Sequence, residues 1–494
     1  MAEFLVKFMP GGQTVSVPEG TNLLEAARSA GLTPNAPCGG KGTCGKCKVR
    51  LLHLPDSPEV LACQTVITGP MTVRFLSDEN KSQVISTKSN LGLGQFPPDS
   101  EEGYCVAFDI GTTTVVGYLL SADGQELGSV GRLNPQMTYG ADVISRINYC
   151  LENTQEPLTT VIRSTLKEQI LLLCEKQGIT DTEIRTIAVV GNTCMHHMLM
   201  AIDPRPLVTP PYSPGEKRPL QVSAMELLGI CPNAQVRVFP NIAGFVGGDT
   251  VGCMTATRFD QFEELTLLLD IGTNGEMVLG DRHRRVACSA AAGPAFEGAK
   301  ISCGMRGTEG AVEHVALRGG QLTCTVIGGG EPKGLCGSGL LDLVAALLDM
   351  GIIDESGRME AGAFSLCPHV TLTQKDIREV QLAKAAIRAG IELLCAHLGR
   401  RPEEIRRVLL AGAFGSSMSP ASACRIGMLP PALLDRVHPI GNAAGAGAKL
   451  CALSAREFAY SQTLAAGTEF LELASMPGFQ DCFVDALEFE EVTP

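Results

Sequence analysis

The 494-residue sequence lacks any run of 18 apolar residues that could cross a membrane, and its start has neither the basic residues nor the long apolar stretch of a secretory leader. It also lacks an excess of positive charge. The formal net charge is −13, which argues against general affinity for nucleic acid, because such affinity requires a basic face. These absences predict a soluble, cytoplasmic protein that binds neither membrane nor nucleic acid.

Glycine and cysteine are abundant, with 55 and 19 residues. A chain of this length exceeds what one hydrophobic core supports, and 45% hydrophobic residues with many glycines is typical of a globular α/β protein, so two or three domains are expected. The cysteines of a cytoplasmic protein are reduced, which predicts a few thiolate ligands and many small core residues rather than a disulfide framework.

Three cysteines lie in the glycine-rich stretch PCGGKGTCGKCKV, with the spacing C-x5-C-x2-C, and a fourth follows after fifteen residues. They are Cys38, Cys44, Cys47 and Cys63. Four thiolates match the ligand count of an iron-sulfur cluster, and the pattern resembles that of 2Fe-2S ferredoxins. Glycine allows the backbone to wrap tightly and to present N–H groups to the sulfides. A structural zinc site is the less favoured alternative, because zinc sites usually pair two C-x2-C units.

The flanking sequence supports a small ferredoxin domain over residues 1–77. FLVKFMP and QTVSVPEG predict a hairpin, TNLLEAARSAGL predicts a capped amphipathic helix, and VLACQTVI and MTVRFL predict closing strands. Residues 78–103 are polar, contain proline and glycine and show no periodicity, which predicts a linker that lets the cluster move.

Two similar motifs follow, YCVAFDIGTTTVVGYLL and, 161 residues later, LTLLLDIGTNGEMVLG. Each predicts two strands joined by a glycine turn that can hold phosphate, with an aspartate at the strand end that can reach a hydrated Mg²⁺. The predicted phosphate and magnesium residues are Asp109, Gly111, Thr112, Thr113, Asp270, Gly272, Thr273 and Asn274. The duplication predicts two similar lobes that face each other across a nucleotide.

This pair resembles the phosphate motifs of the actin, sugar-kinase and heat-shock-chaperone ATPases. Further motifs of that superfamily follow in the expected order, with PNIAGFVGGDTVG and GNAAGAGAKL as candidate connecting helices and RRVLLAGAFGSS as the adenosine motif. In the adenosine motif, Gly412 and Gly415 would let the backbone approach the nucleotide.

A ferredoxin joined to such an ATPase resembles the ATP-dependent reductive activators of corrinoid proteins. Supporting stretches include NPQMTYGADVISRI, GNTCMHHML and CSAAAGPAFEGAKISCGMRG. The resemblance implies a β-grasp 2Fe-2S ferredoxin domain followed by a two-lobed actin-like ATPase domain, with lobes over 104–262 and 263–494. Longer relatives carry additional sequence between the ferredoxin and the ATPase, where this chain has only the short linker.

The resemblance also implies roles for single residues. The four cysteines would hold the cluster, and Asp109 and Asp270 would hold Mg²⁺ through water. Asp249 and Asp142 are the two candidates for orienting the attacking water. Gln381 and Lys384, one turn apart in QLAKAAIRAG, would contact adenosine, with a solvated helical face as the alternative.

The implied activity is the ATP-dependent return of one electron to an inactive Co(II) corrinoid protein, giving Co(I), in an anaerobic methyltransferase system. It requires a 2Fe-2S cluster, ATP, Mg²⁺, a corrinoid protein and a low-potential donor such as ferredoxin or flavodoxin. The resemblance suggests a homodimer, although no sequence feature indicates one. Two alternatives stay open: an activator of the 2-hydroxyacyl-CoA dehydratase type, and a redox-sensing chaperone-like ATPase. A small-molecule kinase would not explain the ferredoxin.

Overall fold

A computed structural model describes residues 2–32, 34, 36, 39–42, 46–76, 89, 91–92, 96–298 and 300–490. The predicted ligands Cys38 and Cys44 lie outside the described residues, as does most of the predicted linker before residue 96. Among the residues described, no helix is both long and apolar enough to cross a membrane.

The N-terminal part forms a five-stranded sheet in the order β2-β1-β5-β3-β4, with one α-helix among its described residues. Its elements are β1 Glu3–Met9, β2 Thr14–Pro18, α1 Leu23–Ser29, β3 Lys48–Leu51, β4 Glu59–Leu61 and β5 Met71–Phe75. The predicted hairpin is β1 paired antiparallel with β2, and α1 is capped by Asn22, whose side chain accepts from the Leu24 N–H. The prediction that VLACQTVI is one strand was wrong. Cys63 lies in a 3₁₀ turn, Ala62–Gln64, whose backbone is held by a 2.8 Å hydrogen bond from the Asn22 side chain to Cys63 O.

Helix α1 docks the ferredoxin part against the segment 134–152. The Arg28 guanidinium lies 4.8 Å from the ring centre of Tyr139 and 5.9 Å from that of Tyr149, and it donates to Thr138 O. Its side chain is only 4% exposed. Beside it, Lys41 of the glycine-rich loop pairs with Glu152 at 3.2 Å. The two parts therefore share an interface built on a buried cation between aromatic rings.

The described residues of the predicted linker also contact the rest of the chain. Ser89 forms a bridge with Gly441, and Leu91 and Phe96 pack against the core between the two large sheets. Asp99 pairs with Arg237 at 2.6 Å. These contacts hold residues 89, 91, 96 and 99 against the rest of the chain, so the free movement predicted for the linker cannot involve them.

The next part builds a six-stranded sheet in the order β10-β11-β9-β6-β7-β8. Its strands and helices are β6 Tyr104–Ile110, β7 Thr114–Ser121, β8 Glu126–Leu133, α2 Val143–Glu152, α3 Glu156–Gln177, β9 Ile184–Gly191, α4 Thr193–Met200, β10 Leu220–Ser223, α5 Ala224–Leu228, β11 Gln235–Val238 and α6 Gly248–Thr257. Helices α3, α4 and α5 cover one face of this sheet through a shared apolar core.

The last part builds a second six-stranded sheet in the order β21-β20-β12-β13-β14-β22. Its strands and helices are β12 Thr266–Ile271, β13 Gly275–Gly280, β14 Arg285–Ala290, β15 Ala311–Arg318, β16 Gln321–Val326, β17 Gly334–Leu335, α7 Gly337–Asp349, β18 Ala363–Cys367, β19 Val370–Thr373, α8 Gln374–Leu398, β20 Arg407–Ala411, α9 Gly412–Ser417, α10 Pro420–Arg425, β21 Val437–Gly441, α11 Ala443–Leu453, α12 Ala455–Ala466, β22 Glu469–Phe470 and α13 Phe479–Asp485.

The two large sheets share one plan. In each, three consecutive strands form an antiparallel meander, and the first of them also pairs in parallel with a later strand, β6 with β9 and β12 with β20. The aspartates of the two motifs occupy the same place, the last but one residue of β6 and of β12. The repeated motif therefore corresponds to a repeated structure.

Helices α6 and α11 cross between the two sheets at close range. A Cβ at Gly447 would lie 2.1 Å from Gly252 O, and one at Gly252 would lie 2.9 Å from Ala444 O. Only residues without a side chain fit at the crossing, because a Cβ at such distances would overlap the facing backbone. The apolar core around this crossing takes residues from both sheets, including Val116, Val190, Leu268 and Val278.

Candidate functional site

The first of the two predicted phosphate loops follows β6 and is held by the segment that begins after β8. Its turn closes with a 2.8 Å hydrogen bond from Gly111 N to Thr114 O. Asn134 donates from its side chain to Gly111 O and from its backbone to Thr113 O, both at 2.8 Å. The fully buried Arg146 donates to Thr112 O at 2.5 Å. Three consecutive carbonyls of the loop are thus held by hydrogen bonds from residues 134 and 146.

The second phosphate loop has the same turn with different side chains. Gly272 N donates to Asn274 O at 2.8 Å. The Thr273 hydroxyl donates to the Glu297 Oε1 atom at 2.8 Å, and the Asn274 side chain hydrogen-bonds the Glu276 carboxylate.

Glu297 joins the two loops and was not predicted from the sequence. Its Oε2 atom accepts from the Thr113 hydroxyl of the first loop at 3.0 Å, while Oε1 accepts from Thr273 of the second. Glu297 lies in GPAFEG, which is part of a stretch that supported the family resemblance. No role was predicted for this glutamate. The structure therefore brings Thr113 and Thr273, 160 residues apart in sequence, to one carboxylate.

Four carboxylates near the two loops have raised pKa values. Burial raises the pKa of Asp109 to about 6, although a 2.8 Å hydrogen bond from Asn442 lowers it. Burial, with the charge of Asp109, raises the pKa of Asp249 to about 6, and burial with the charges of Asp249 and Asp109 raises the pKa of Asp270 to about 7. The pKa of Glu276 is raised for the same reasons. Asp249 thus lies within electrostatic range of Asp109 and Asp270, where negative charge is costly without a cation.

The adenosine motif meets this cluster at Gly412, the first residue of α9. Gly412 has φ +79°, and a Cβ there would lie 2.6 Å from the Asp270 Oδ1 atom. Gly415, one turn on, packs toward Leu410 of β20. Glycine is required at position 412 on two grounds, its backbone conformation and the nearness of the aspartate.

In the ferredoxin part, the two described cluster cysteines come together. Cys47 and Cys63 bring their sulfur atoms to 3.3 Å. Two thiolates on one tetrahedral metal, each about 2.3 Å from it, stand roughly 3.8 Å apart, so this pair fits two ligands of a single metal atom. Zinc and an iron of a cluster are both compatible with the pair alone.

The comparisons with known proteins agree with this architecture. Family descriptions match in three consecutive blocks: "2Fe-2S iron-sulfur cluster binding domain" at residues 6–68, "RACo middle region" at 104–262 and "C-terminal domain of RACo the ASKHA domain" at 264–493. The chain is 31% identical to the "Corrinoid activation enzyme RamQ" of Eubacterium limosum, over 96% of this chain and 97% of that protein. The chain belongs to the RACo family.

Two further proteins are similar to this chain. A solved structure named "Reductive activator for corrinoid,iron-sulfur protein" superposes with a TM-score of 0.73 at 31% identity, covering 99% of this chain and 98% of that one. The "[Co(II) methylated amine-specific corrinoid protein] reductase" of Methanosarcina barkeri is 26% identical over 66% of both chains. The predicted family and fold class, a ferredoxin followed by an actin-like ATPase domain, are confirmed.

Three residues predicted for the nucleotide site make contacts other than the predicted ones. Asp142 is the N-cap of α2, where its carboxylate accepts from Ser145 N at 2.7 Å. Gln381 and Lys384 are buried in α8 rather than on a solvated face, because the C-terminal segment 487–490 covers them. Gln381 donates to Leu487 O at 2.8 Å, and Lys384 donates to Glu488 O. Contact of either α8 residue with adenosine stays a prediction and requires that this segment move.

Proposed function

We propose that this chain is an ATP-dependent reductive activator that returns one electron to the Co(II) form of a corrinoid protein, giving Co(I), in an anaerobic methyltransferase system. The observation that carries the proposal is the joining, in one RACo-family chain, of a paired-thiol ferredoxin and a cleft with two phosphate loops. The relatives named as corrinoid activation enzyme and corrinoid protein reductase support it.

Energetics explain why an electron carrier would need ATP. Cys38, Cys44, Cys47 and Cys63 would hold a plant-type 2Fe-2S cluster, which would supply one-electron transfer at about −400 mV. The Co(II)/Co(I) couple of the partner is expected to lie lower, and a gap of roughly 200 mV corresponds to about 5 kcal/mol for one electron. Binding and hydrolysis of ATP offset this cost by closing the lobes on the partner or by changing the coordination of its cobalt.

The ATPase roles follow from the cleft. Asp109 and Asp270 would hold Mg²⁺ through water, which suits carboxylates whose pKa values are raised while no cation is present. Thr112, Thr113, Thr273 and Asn274, with the N–H groups of Gly111 and Gly272, would line the phosphates. Gly412 and Gly415 would let the adenosine motif approach the nucleotide.

The proposed organisation is a ferredoxin domain over 1–77, a connection over 78–103 and two ATPase lobes over 104–262 and 263–494. The proposed partners are a corrinoid protein, a low-potential donor such as ferredoxin or flavodoxin, and a second copy of the chain in a homodimer.

The test is the cobalt absorption spectrum. The reconstituted protein is mixed anaerobically with a Co(II) corrinoid protein and a low-potential reductant, with and without Mg-ATP. We expect Co(I) only with Mg-ATP. The Cys63→Ser variant should give none, whereas Cys324→Ser, which changes an exposed cysteine in the second lobe, should behave as the parent does. Formation of Co(I) without ATP, or by the Cys63→Ser variant, would refute the proposal.

A further inference from the structure

The position of Glu297 between the two phosphate loops has no assigned role. One carboxylate oxygen accepts from Thr113 of the first loop and the other from Thr273 of the second. If these hydroxyls line the phosphates, a bound nucleotide takes the donors that Glu297 now uses. The carboxylate is then left beside the phosphates with its acceptor positions free.

The fold fixes Glu297 in this place. It ends the 3₁₀ turn Pro294–Glu297, and the preceding Phe296 is buried and stacks on Phe414 of the adenosine motif at 5.1 Å. The following Gly298 has φ +78°, and a Cβ there would lie 2.5 Å from Met305 O. The stacking of Phe296 and the left-handed backbone of Gly298 therefore restrict the position of the Glu297 backbone.

The Glu297 carboxylate contacts both loops, so a phosphate bound between the loops would bring a second negative charge close to it. Two anions in direct contact repel each other, so Glu297 and a γ-phosphate can be neighbours only with hydrogens between them, and a water molecule supplies two. Of the two acids predicted from the sequence to orient water, Asp142 caps α2 and Asp249 lies with Asp109 and Asp270. Glu297 is the acid that reaches hydroxyls of both loops.

We propose that Glu297 positions the water that attacks the γ-phosphate and accepts its proton. The water oxygen forms the new bond to phosphorus, the bond from phosphorus to the bridging oxygen breaks, and ADP leaves with that electron pair. The proton passes from the water to Glu297 and then to solvent. With the nucleotide gone, the same carboxylate reconnects Thr113 and Thr273. This inference rests on the ATPase activity proposed above.

The experiment compares ATP hydrolysis by the full-length parent, Glu297→Gln and Glu297→Asp. Glu331→Gln is the matched control, because it removes the same charge from an exposed loop position of the second lobe. We expect Glu297→Gln to lower kcat by about 100-fold or more, the usual size of a lost general base, with KM for ATP within about threefold of the parent. It should bind a non-hydrolysable ATP analogue as tightly as the parent. Glu297→Asp should restore part of kcat, because it keeps a carboxylate at this position.

The outcomes are distinct. A kcat for Glu297→Gln within threefold of the parent overturns the inference. So does a loss of analogue binding and of melting temperature in proportion to kcat, because that pattern belongs to a residue that only holds the loops together. If the parent itself hydrolyses no ATP while the corrinoid protein is present, the proposed function fails and the inference fails with it.

Discussion

Replacing Asp270 with asparagine should stabilise the metal-free protein while abolishing ATP turnover. Burial and the charges of Asp249 and Asp109 raise the pKa of Asp270 from 3.8 to about 7. An acid whose pKa is higher in the folded than in the unfolded state costs stability once the pH exceeds the unfolded value. This loss of folding stability grows between pH 4 and pH 7 and is constant above pH 7. Asp270→Asn should therefore raise the stability most at alkaline pH.

The magnitude follows from the shift. A change of about three pKa units corresponds to about 4 kcal/mol, and the side chain is partly open to the cleft, so we halve this to about 2 kcal/mol for screening. For a folding unit of this size the melting temperature should rise by roughly 4 °C at pH 8.

The assay is thermal unfolding in EDTA at pH 5, 6.5 and 8, followed by circular dichroism. Asp435→Asn is the control, because Asp435 is exposed in the same lobe. A lower melting temperature for Asp270→Asn at pH 8, or a gain that does not increase from pH 5 to 8, would refute the reasoning. Added Mg²⁺ should raise the melting temperature of the parent more than that of Asp270→Asn, because only the parent keeps both carboxylates proposed to hold the ion.

Other changes should have separate effects. Arg28→Ala removes the cation between Tyr139 and Tyr149. Because this uncovers one interface only, we expect faster hydrogen exchange over residues 135–152 but not in β12. Unchanged exchange over 135–152 would contradict the described docking. Gly412→Ala should raise KM for ATP at least tenfold, because a Cβ would lie 2.6 Å from Asp270 Oδ1, whereas Gly362→Ala, which also has positive φ but no neighbour, should leave KM unchanged. Steady-state kinetics on both glycine variants decide between these outcomes.

The parts of the site that sequence could predict are those encoded locally. A strand, an aspartate and a glycine turn lie within a few residues, so both phosphate loops were recognisable, and the second copy made the first specific. The connecting helices α6 and α11 were predicted from the order of the superfamily motifs, and the small residues in both stretches agreed with a close crossing. The antiparallel pairing of β1 with β2 followed from two short apolar strands.

The parts that could not be predicted depend on distant contacts. Glu297 acquires its position through hydrogen bonds to residues 24 and 184 positions away. Lys384 was predicted to contact adenosine or to lie on a solvated face, yet the C-terminal segment covers it, and burial lowers its pKa to about 7. The amphipathic helix that contains Arg28 was predicted, but the contact of Arg28 with Tyr139 and Tyr149 was not. None of these partners can be read from the local pattern.

The attachment of the first phosphate loop has a consequence for protein engineering. Asn134 and Arg146 hold its carbonyls, and Thr138, Tyr139 and Tyr149 from the same stretch receive Arg28 of the ferredoxin part. A chimera that exchanged only the N-terminal domain with that of a relative would place a foreign helix against these tyrosines. The unit to transplant is therefore discontinuous: the ferredoxin domain together with residues 134–152.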